Sequence, residues 1–303
     1  MPEGDSIFRV AARLRIAVLG RAVSGAESRA TGSFAPLVGD TLTSIDTHGK
    51  NLFFAFASGL VVHSHLRMHG SWRVVVHGEQ RVPLQFRALL TFGDRSIVCV
   101  GAPVVRLLSA REAVRARASH AIGPDPLHDT FDVATVVRVL QKHAAPIGEV
   151  LLDQRVIAGV GNVLKSETLF VARQDPFASC ASCTEEALVR VVETARDLLR
   201  ASVAKKGSAS IHDDAAPFRQ KMRVTKGGFD PWLRPSPSQT SWVYRRAGEP
   251  CHSCKTPIGM RHQGNPPRST YFCPVCQGSL DSPPHPRISA PFPGPFGRRR
   301  RAI

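Results

Sequence analysis

Apolar residues at helical spacing open the chain: Ile7, Val10, Ala11, Leu14 and Val18 share one side of a helix predicted over residues 2–20. The period then shortens. Runs rich in β-branched and aromatic residues follow at 42–46, 51–57, 60–65, 71–76, 88–92, 97–100 and 104–107. Short strands at this spacing predict a sandwich or barrel. From about Asp129 the helical period returns, with helices expected over 131–143, 147–153, 163–172 and 185–204. Residues 207–241 are polar, basic and proline-containing and read as a loop. Residues 278–303 hold six prolines and an arginine run, a composition that predicts a disordered basic tail. The domain division that follows is 1–125, 129–241, a cysteine-bearing element at 242–277, and the tail at 278–303. No segment approaches the roughly twenty uninterrupted apolar residues of a membrane span, so no membrane partner is expected.

Cysteine spacing adds a metal site. Cys251-His252-Ser253-Cys254 and Cys273-Pro274-Val275-Cys276 are two Cys-x-x-Cys knuckles with eighteen residues between them, within the range of a structural zinc site. Four thiolates fill a tetrahedron and leave no open position for catalysis, so one structural Zn2+ is expected. A pair of disulfides is the alternative, and the lack of a recognisable secretory segment weighs against it. His252 lies within a knuckle as a further potential ligand. Cys180 and Cys183 form a third Cys-x-x-Cys without a second pair, and Cys99 sits in an apolar run and reads as core. None of these three is given a function.

Charge points to an acidic polymer. Of 303 residues, 40 are Lys or Arg and 24 Asp or Glu, for a formal net charge of +16. Between Arg219 and Arg268 ten basic residues face two acids, Asp230 and Glu249, and Arg298 to Arg301 add four more arginines. Basic charge concentrated around a zinc element reads as a phosphate-binding surface.

The termini of two segments carry candidate chemistry. Proline beside the initiator, in Met1-Pro2-Glu3-Gly4-Asp5, predicts removal of Met1 and a secondary amine at the new terminus. An α-amino group has a pKa near 8, so a useful fraction is neutral and nucleophilic at neutral pH, with Glu3 beside it as partner acid or base. Further on, Gly159-Val160-Gly161-Asn162 leads into the helix expected from Val163. Glycines allow tight turns there, and a helix start favours an anion through its unpaired N–H groups and its dipole. The Asn162 amide offers one more donor.

On these residues the chain resembles the formamidopyrimidine-DNA glycosylase and endonuclease VIII family over roughly residues 1–277. The resemblance is carried by Met1-Pro2-Glu3-Gly4-Asp5, by His48-Gly49-Lys50-Asn51-Leu52, by the 154–162 turn, and by the finger from Val243 to Cys276 with Arg268-Ser269-Thr270 inside it. It implies an α+β fold of two domains. An N-terminal β-sandwich with flanking helices carries the catalytic terminus. A C-terminal helix–two-turn–helix domain with a four-cysteine zinc finger completes a DNA cleft. It implies a bifunctional DNA glycosylase and AP lyase of base excision repair, in which Pro2 attacks C1′ of a flipped nucleotide. Glu3 protonates the sugar ring oxygen, Lys50 reaches a phosphate or the departing group, and Asn162 and Arg268 bind the flanking phosphates.

Within that family, His65-Leu66-Arg67-Met68-His69-Gly70 matches the loop that fills the gap left by flipping, which makes Met68 the candidate wedge. The branch that excises 8-oxoguanine usually carries an arginine- and phenylalanine-bearing stretch where this chain reads Val100-Gly101-Ala102-Pro103-Val104-Val105. The departure favours the endonuclease VIII branch and oxidised pyrimidines. The expected partner is damaged double-stranded DNA, with no nucleotide cofactor, for a monomer in the bacterial cytoplasm. A non-catalytic damage-binding paralogue is the alternative, against which stands the presence of Pro2, Glu3 and Lys50. A zinc-ribbon RNA-binding protein accounts for charge and cysteines but not for the N-terminal motif.

Overall fold

The computed structural model describes residues 3–30, 32–67, 69–119, 122–204 and 241–278. Pro2, Met68, most of the 207–241 loop and the tail from 279 onward therefore lie outside the described residues. By internal contacts the chain forms two units: residues 1–131, 157–159 and 199–222 make the first, and 132–156, 160–198 and 223–303 the second.

The first unit begins with α1 (Gly4–Val18), which buries Ile7, Ala11, Leu14, Ala17 and Val18. Eight strands follow: β1 (Gly25–Ser28), β2 (Leu42–His48), β3 (Asn51–Phe56), β4 (Val61–His65), β5 (Ser71–Val76), β6 (Ala88–Phe92), β7 (Arg95–Val100) and β8 (Val104–Leu108). They form two antiparallel four-stranded sheets in the orders β1-β6-β7-β5 and β2-β3-β4-β8. Leu52, Phe54 and Val62 of one sheet share a core with Trp72, Val74, Leu90 and Ile97 of the other, closed by the apolar stripe of α1. The expected sandwich is present. Phe54 and Trp72 lie 4.8 Å apart between ring centroids, and the buried Trp72 Nε1 donates to Ser64 Oγ at 3.0 Å, giving the indole its polar partner across the core. Cys99 is fully buried there, as its apolar run implied. Burial pushes its thiol up to about 12.

Two elements of this unit depart from the sequence expectation. β1 reads Gly-Ala-Glu-Ser, has no apolar alternation, and pairs along one side with β6 as an edge strand. α2 (Ala110–Ser119) follows β8 directly, its start held by Ser109, whose N–H and Oγ both reach Glu112 Oε2 at 2.8 and 2.7 Å.

The second unit holds α3 (Val133–Leu140), α4 (Ile147–Val150), α5 (Asn162–Val171) and α6 (Glu185–Ala204), the last turn of which belongs to the first unit. α3 starts later than its apolar pattern suggests because Asp132 caps it, accepting from the N–H groups of Ala134 and Thr135 at 3.2 and 2.9 Å; it also ends at Leu140, before the expected 143. α4 is a single turn. A hairpin of β9 (Gly259–Gln263) and β10 (Arg268–Phe272) lies between the two cysteine knuckles. Its surroundings form a small core of Phe170, Trp242, Val243, Ile258, Cys251 and Cys273. Among the described residues no helix is long and apolar enough to cross a membrane.

Candidate active site and phosphate-binding residues

In the first unit, Glu3 is the N-cap of α1. Its carbonyl accepts from Ser6 N and Ile7 N at 3.0 and 3.1 Å, while Ser6 Oγ accepts from Glu3 N at 3.3 Å. At 4% exposed it is a buried carboxyl at the first described position of the chain. The next residue explains its fixed place. Gly4 N donates to the Gly159 carbonyl at 2.9 Å, and a Cβ on Gly4 would lie 2.9 Å from Gly159 Cα, closer than backbone tolerates. Gly159 itself has φ +85°, a conformation costly for any residue with a Cβ.

Lys50 stands in the two-residue turn between β2 and β3, the strand start expected from sequence. That turn is held from several sides. Gly49 N donates to Asp125 Oδ2 at 2.7 Å, and Asn51 Nδ2 to the His48 carbonyl at 3.2 Å. His48 Nε2 meets the Gly123 carbonyl at 3.0 Å, and His128 Nε2 the Thr47 carbonyl at 2.8 Å. Both ring nitrogens face carbonyls, so each is the protonated one. A Cβ on Gly49 would sit 3.1 Å from Ala158 Cβ and 3.2 Å from Gly159 N. Gly4 and Gly49 thus converge on Gly159, and their sequence neighbours Glu3 and Lys50 start from one small region. Asp125 is a contributor that sequence reading missed. It lies in a short polar stretch with no pattern to mark it.

The Gly-x-Gly turn divides its labour differently from the expectation. Gly159 needs its positive φ, whereas Gly161 is extended, with φ −125° and ψ −165°, as the N-cap of α5. The turn is braced by Gln154 Nε2, which donates to the carbonyls of Leu152 and Val160 at 3.0 and 2.8 Å.

In the second unit, Asn162 opens α5 and is buried. Its Nδ2 donates to Ser269 Oγ at 3.1 Å, while its Oδ1 has no hydrogen-bond partner among the described residues. Ser269 follows Arg268, which is exposed at the start of β10. The two sequence-predicted phosphate ligands are therefore joined through one serine. The sequence places Ser269 in the finger motif but gives it no role of its own. Glu167, also on α5, accepts from the N–H groups of Trp242, Val243 and Tyr244 at 2.8, 3.1 and 2.8 Å. Burial pushes its carboxyl up, and the three donors pull the other way.

The Sγ atoms of Cys251, Cys254, Cys273 and Cys276 all lie within 4.8 Å of one another. This crowding couples their acidities: a hydrogen bond with Cys273 pulls the Cys251 thiol down, and the same bond pushes Cys273 up. Four thiolates in so small a volume repel one another unless a cation neutralises them. The donor set, all sulfur and converging, fits a soft tetrahedral metal ion. Cys180 is buried and Cys183 half-buried, and neither joins this group.

Comparison with known proteins follows the same lines. A family model for the formamidopyrimidine-DNA glycosylase N-terminal domain matches residues 1–101, and one for the formamidopyrimidine-DNA glycosylase H2TH domain matches 122–213. The chain belongs to the formamidopyrimidine-DNA glycosylase family. A probable endonuclease 8 2 of Streptomyces coelicolor is 33% identical over 305 residues, covering 98% of this chain and 98% of the relative. The DNA-(apurinic or apyrimidinic site) lyase Nei2 of Mycolicibacterium smegmatis is 32% identical over 280 residues, covering 91% and 99%. Lactococcus lactis Fpg, solved with DNA containing an abasic site, shares the fold with a TM-score of 0.74 at 24% identity, over 91% of this chain and 99% of that one. The family resemblance read from four motifs is thereby established, together with the two-domain fold of sandwich and helix–two-turn–helix.

Proposed function

We propose that this family member is a bifunctional DNA glycosylase and AP lyase of base excision repair that removes oxidised bases, pyrimidines foremost, from double-stranded DNA. The observation that carries the reading is the convergence of Gly4 and Gly49 on Gly159, which fixes the residues beside them, Glu3 and Lys50, in one region. Removal of Met1 frees the Pro2 nitrogen as a secondary amine. With the nucleotide flipped from the stack, that nitrogen bonds to C1′ and the base departs with its bonding electrons, taking up a proton as the amine gives up its own. Glu3 donates a proton to the ring oxygen as the sugar opens, leaving an iminium at C1′. The cation acidifies the C2′ hydrogen, whose loss breaks the C3′–O bond to phosphate. A second elimination breaks the C5′–O bond. Lys50, on its braced turn, places an ammonium toward phosphate. Asn162 and Arg268 hold phosphates beside the lesion, and Met68 fills the vacated stack.

Zinc is the metal we place in the four-cysteine group, where it supplies cross-linking of the finger and no catalytic step. Monomeric action on chromosomal DNA in a bacterial cytoplasm completes the reading. Support for the endonuclease VIII branch comes from Val100 to Val105, which lack the arginine and phenylalanine of the 8-oxoguanine branch, and from the endonuclease 8 name of the Streptomyces relative. The test is single-turnover incision of duplexes carrying 5-hydroxyuracil or 8-oxoguanine. The proposal expects faster excision of 5-hydroxyuracil and a gap flanked by phosphates on both sides. Preference for 8-oxoguanine overturns the branch.

Two predictions arise from this geometry. Gly4→Ala sets a methyl against Gly159 and displaces the start of α1. Misplacement by about 1 Å costs on the order of 100-fold in rate, so single-turnover cleavage falls steeply while DNA affinity changes little. Arg268→Ala and Asn162→Ala separate on a salt titration. Loss of the guanidinium lowers the slope of log K against log salt by about one. Loss of the neutral amide weakens binding at an unchanged slope. Equal slopes for both variants and wild type count against Arg268 as a phosphate ligand.

A further inference from the structure

Helix α5 is unusual in burying polar residues almost all the way round: Asn162, Lys165, Ser166, Glu167 and Thr168 are all buried. Lys165 is the extreme, at 0% exposed. Lysine is almost never fully buried without partners, and here β10 supplies them. Lys165 Nζ donates to the Ser269 carbonyl at 3.1 Å and to Thr270 Oγ1 at 2.7 Å. The Thr270 hydroxyl donates onward to Gln263 Oε1 at 2.6 Å, and Gln263 Nε2 to the Pro176 carbonyl at 3.0 Å. Donors in this series all point the same way, so each bond polarises the next.

Packing does not account for the ammonium. A methionine fills a similar volume without the cost of desolvating a charge. What the ammonium adds is a directional grip on Ser269 and Thr270, the two residues after Arg268. One helical turn earlier on α5, Asn162 holds the side chain of the same Ser269. The strand that presents Arg268 is thus pinned at successive positions to the helix that begins with Asn162.

We propose that Lys165 is a positioning residue that sets the spacing between Asn162 and Arg268 and so makes them one phosphate clamp. This rests on the reading of those two residues given above. Fully buried, Lys165 acts through them and does not itself touch DNA.

A double-mutant cycle tests it. Dissociation constants are measured for a duplex containing a tetrahydrofuran abasic analogue, with wild type, Lys165→Met, Arg268→Ala and the double variant. Bound zinc and the thermal midpoint are recorded for each. Lys165→Met is expected to weaken binding about tenfold, yet to add less than about twofold in the Arg268→Ala background. Single-turnover cleavage of a true abasic site at saturating DNA should change by less than about threefold, because the proposed reacting groups belong to the first unit and Lys165 to the second. Thr270→Val removes the hydroxyl that accepts from Lys165 and donates to Gln263, at nearly constant shape. It should show the same dependence on Arg268 at smaller size, and it decides the matter if Lys165→Met fails to retain zinc. Wild-type affinity in the variants, or losses that simply add to that of Arg268→Ala, overturn the proposal. A wild-type protein that binds the duplex but never cleaves an abasic site overturns the lyase reading instead and leaves the cycle readable.

Discussion

Glu3→Gln lowers excision of an oxidised base at saturating DNA by roughly 10²–10⁴-fold, the usual worth of a positioned general acid. Glutamine keeps the length of the side chain and leaves the backbone bonds of the α1 cap intact, so the helix start should survive. What it loses is the proton for the ring oxygen. The same variant should retain far more activity on a preformed abasic site, where the sugar already opens to an aldehyde in water and needs less help. Single-turnover rates on paired duplexes, one with the base and one without, measure the separation. Equal losses on both substrates mean that Glu3 serves the fold or the elimination steps and not ring opening. Its burial at 4% exposed, next to a glycine pressed on Gly159, is the structural reason to expect a sharp effect from so small a change.

Metal removal has the second large effect. The finger has a small apolar core, in which Trp242, Val243 and Ile258 meet Phe170 of α5. Structural zinc sites contribute about 10–16 kcal/mol of apparent binding energy that is also folding energy, far beyond what these side chains supply. Chelation should therefore release the β9–β10 hairpin, and with it Arg268 and Ser269. Amide hydrogen exchange checks this region by region. Protection should vanish across Gly259–Gln263 and Arg268–Phe272 and persist in the sheets of the first unit. DNA affinity should collapse in parallel and return with Zn2+. A metal-free protein that keeps both hairpin protection and affinity contradicts the structural role.

The sheets were legible because burial on the sandwich interior leaves a local record. Ser71–Val76 and Ala88–Phe92 fall at their expected limits, since each is an apolar run closed by turn residues. β1 left no such record. An edge strand with half-exposed side chains needs no apolar alternation, and Gly25-Ala26-Glu27-Ser28 has none. Among the described residues, the sequence signalled positions where chemistry restricts residue type: the cysteine knuckles, the glycine turn and Glu3-Gly4. The candidate site was illegible where partners come from far along the chain. Asp125 reaches Gly49 across 76 positions, and Lys165 reaches Thr270 across 105. No local pattern announces such a bond. The buried polar residues of α5 did leave a trace, because Asn-Val-Leu-Lys-Ser-Glu-Thr lacks a clean polar face. In a helix expected to be amphipathic, that signals buried hydrogen bonding.

Borohydride trapping tests whether a secondary amine at Pro2 forms a covalent iminium with the opened sugar. Protein shown by N-terminal sequencing to begin at Pro2, and shown to hold its metal, is incubated with abasic-site duplex and reduced. A stable protein–DNA crosslink should form in high yield, map by mass spectrometry to the N-terminal residue, and be sharply reduced in Pro2→Gly. No crosslink from the processed protein, or an undiminished one in the variant, contradicts an iminium at Pro2.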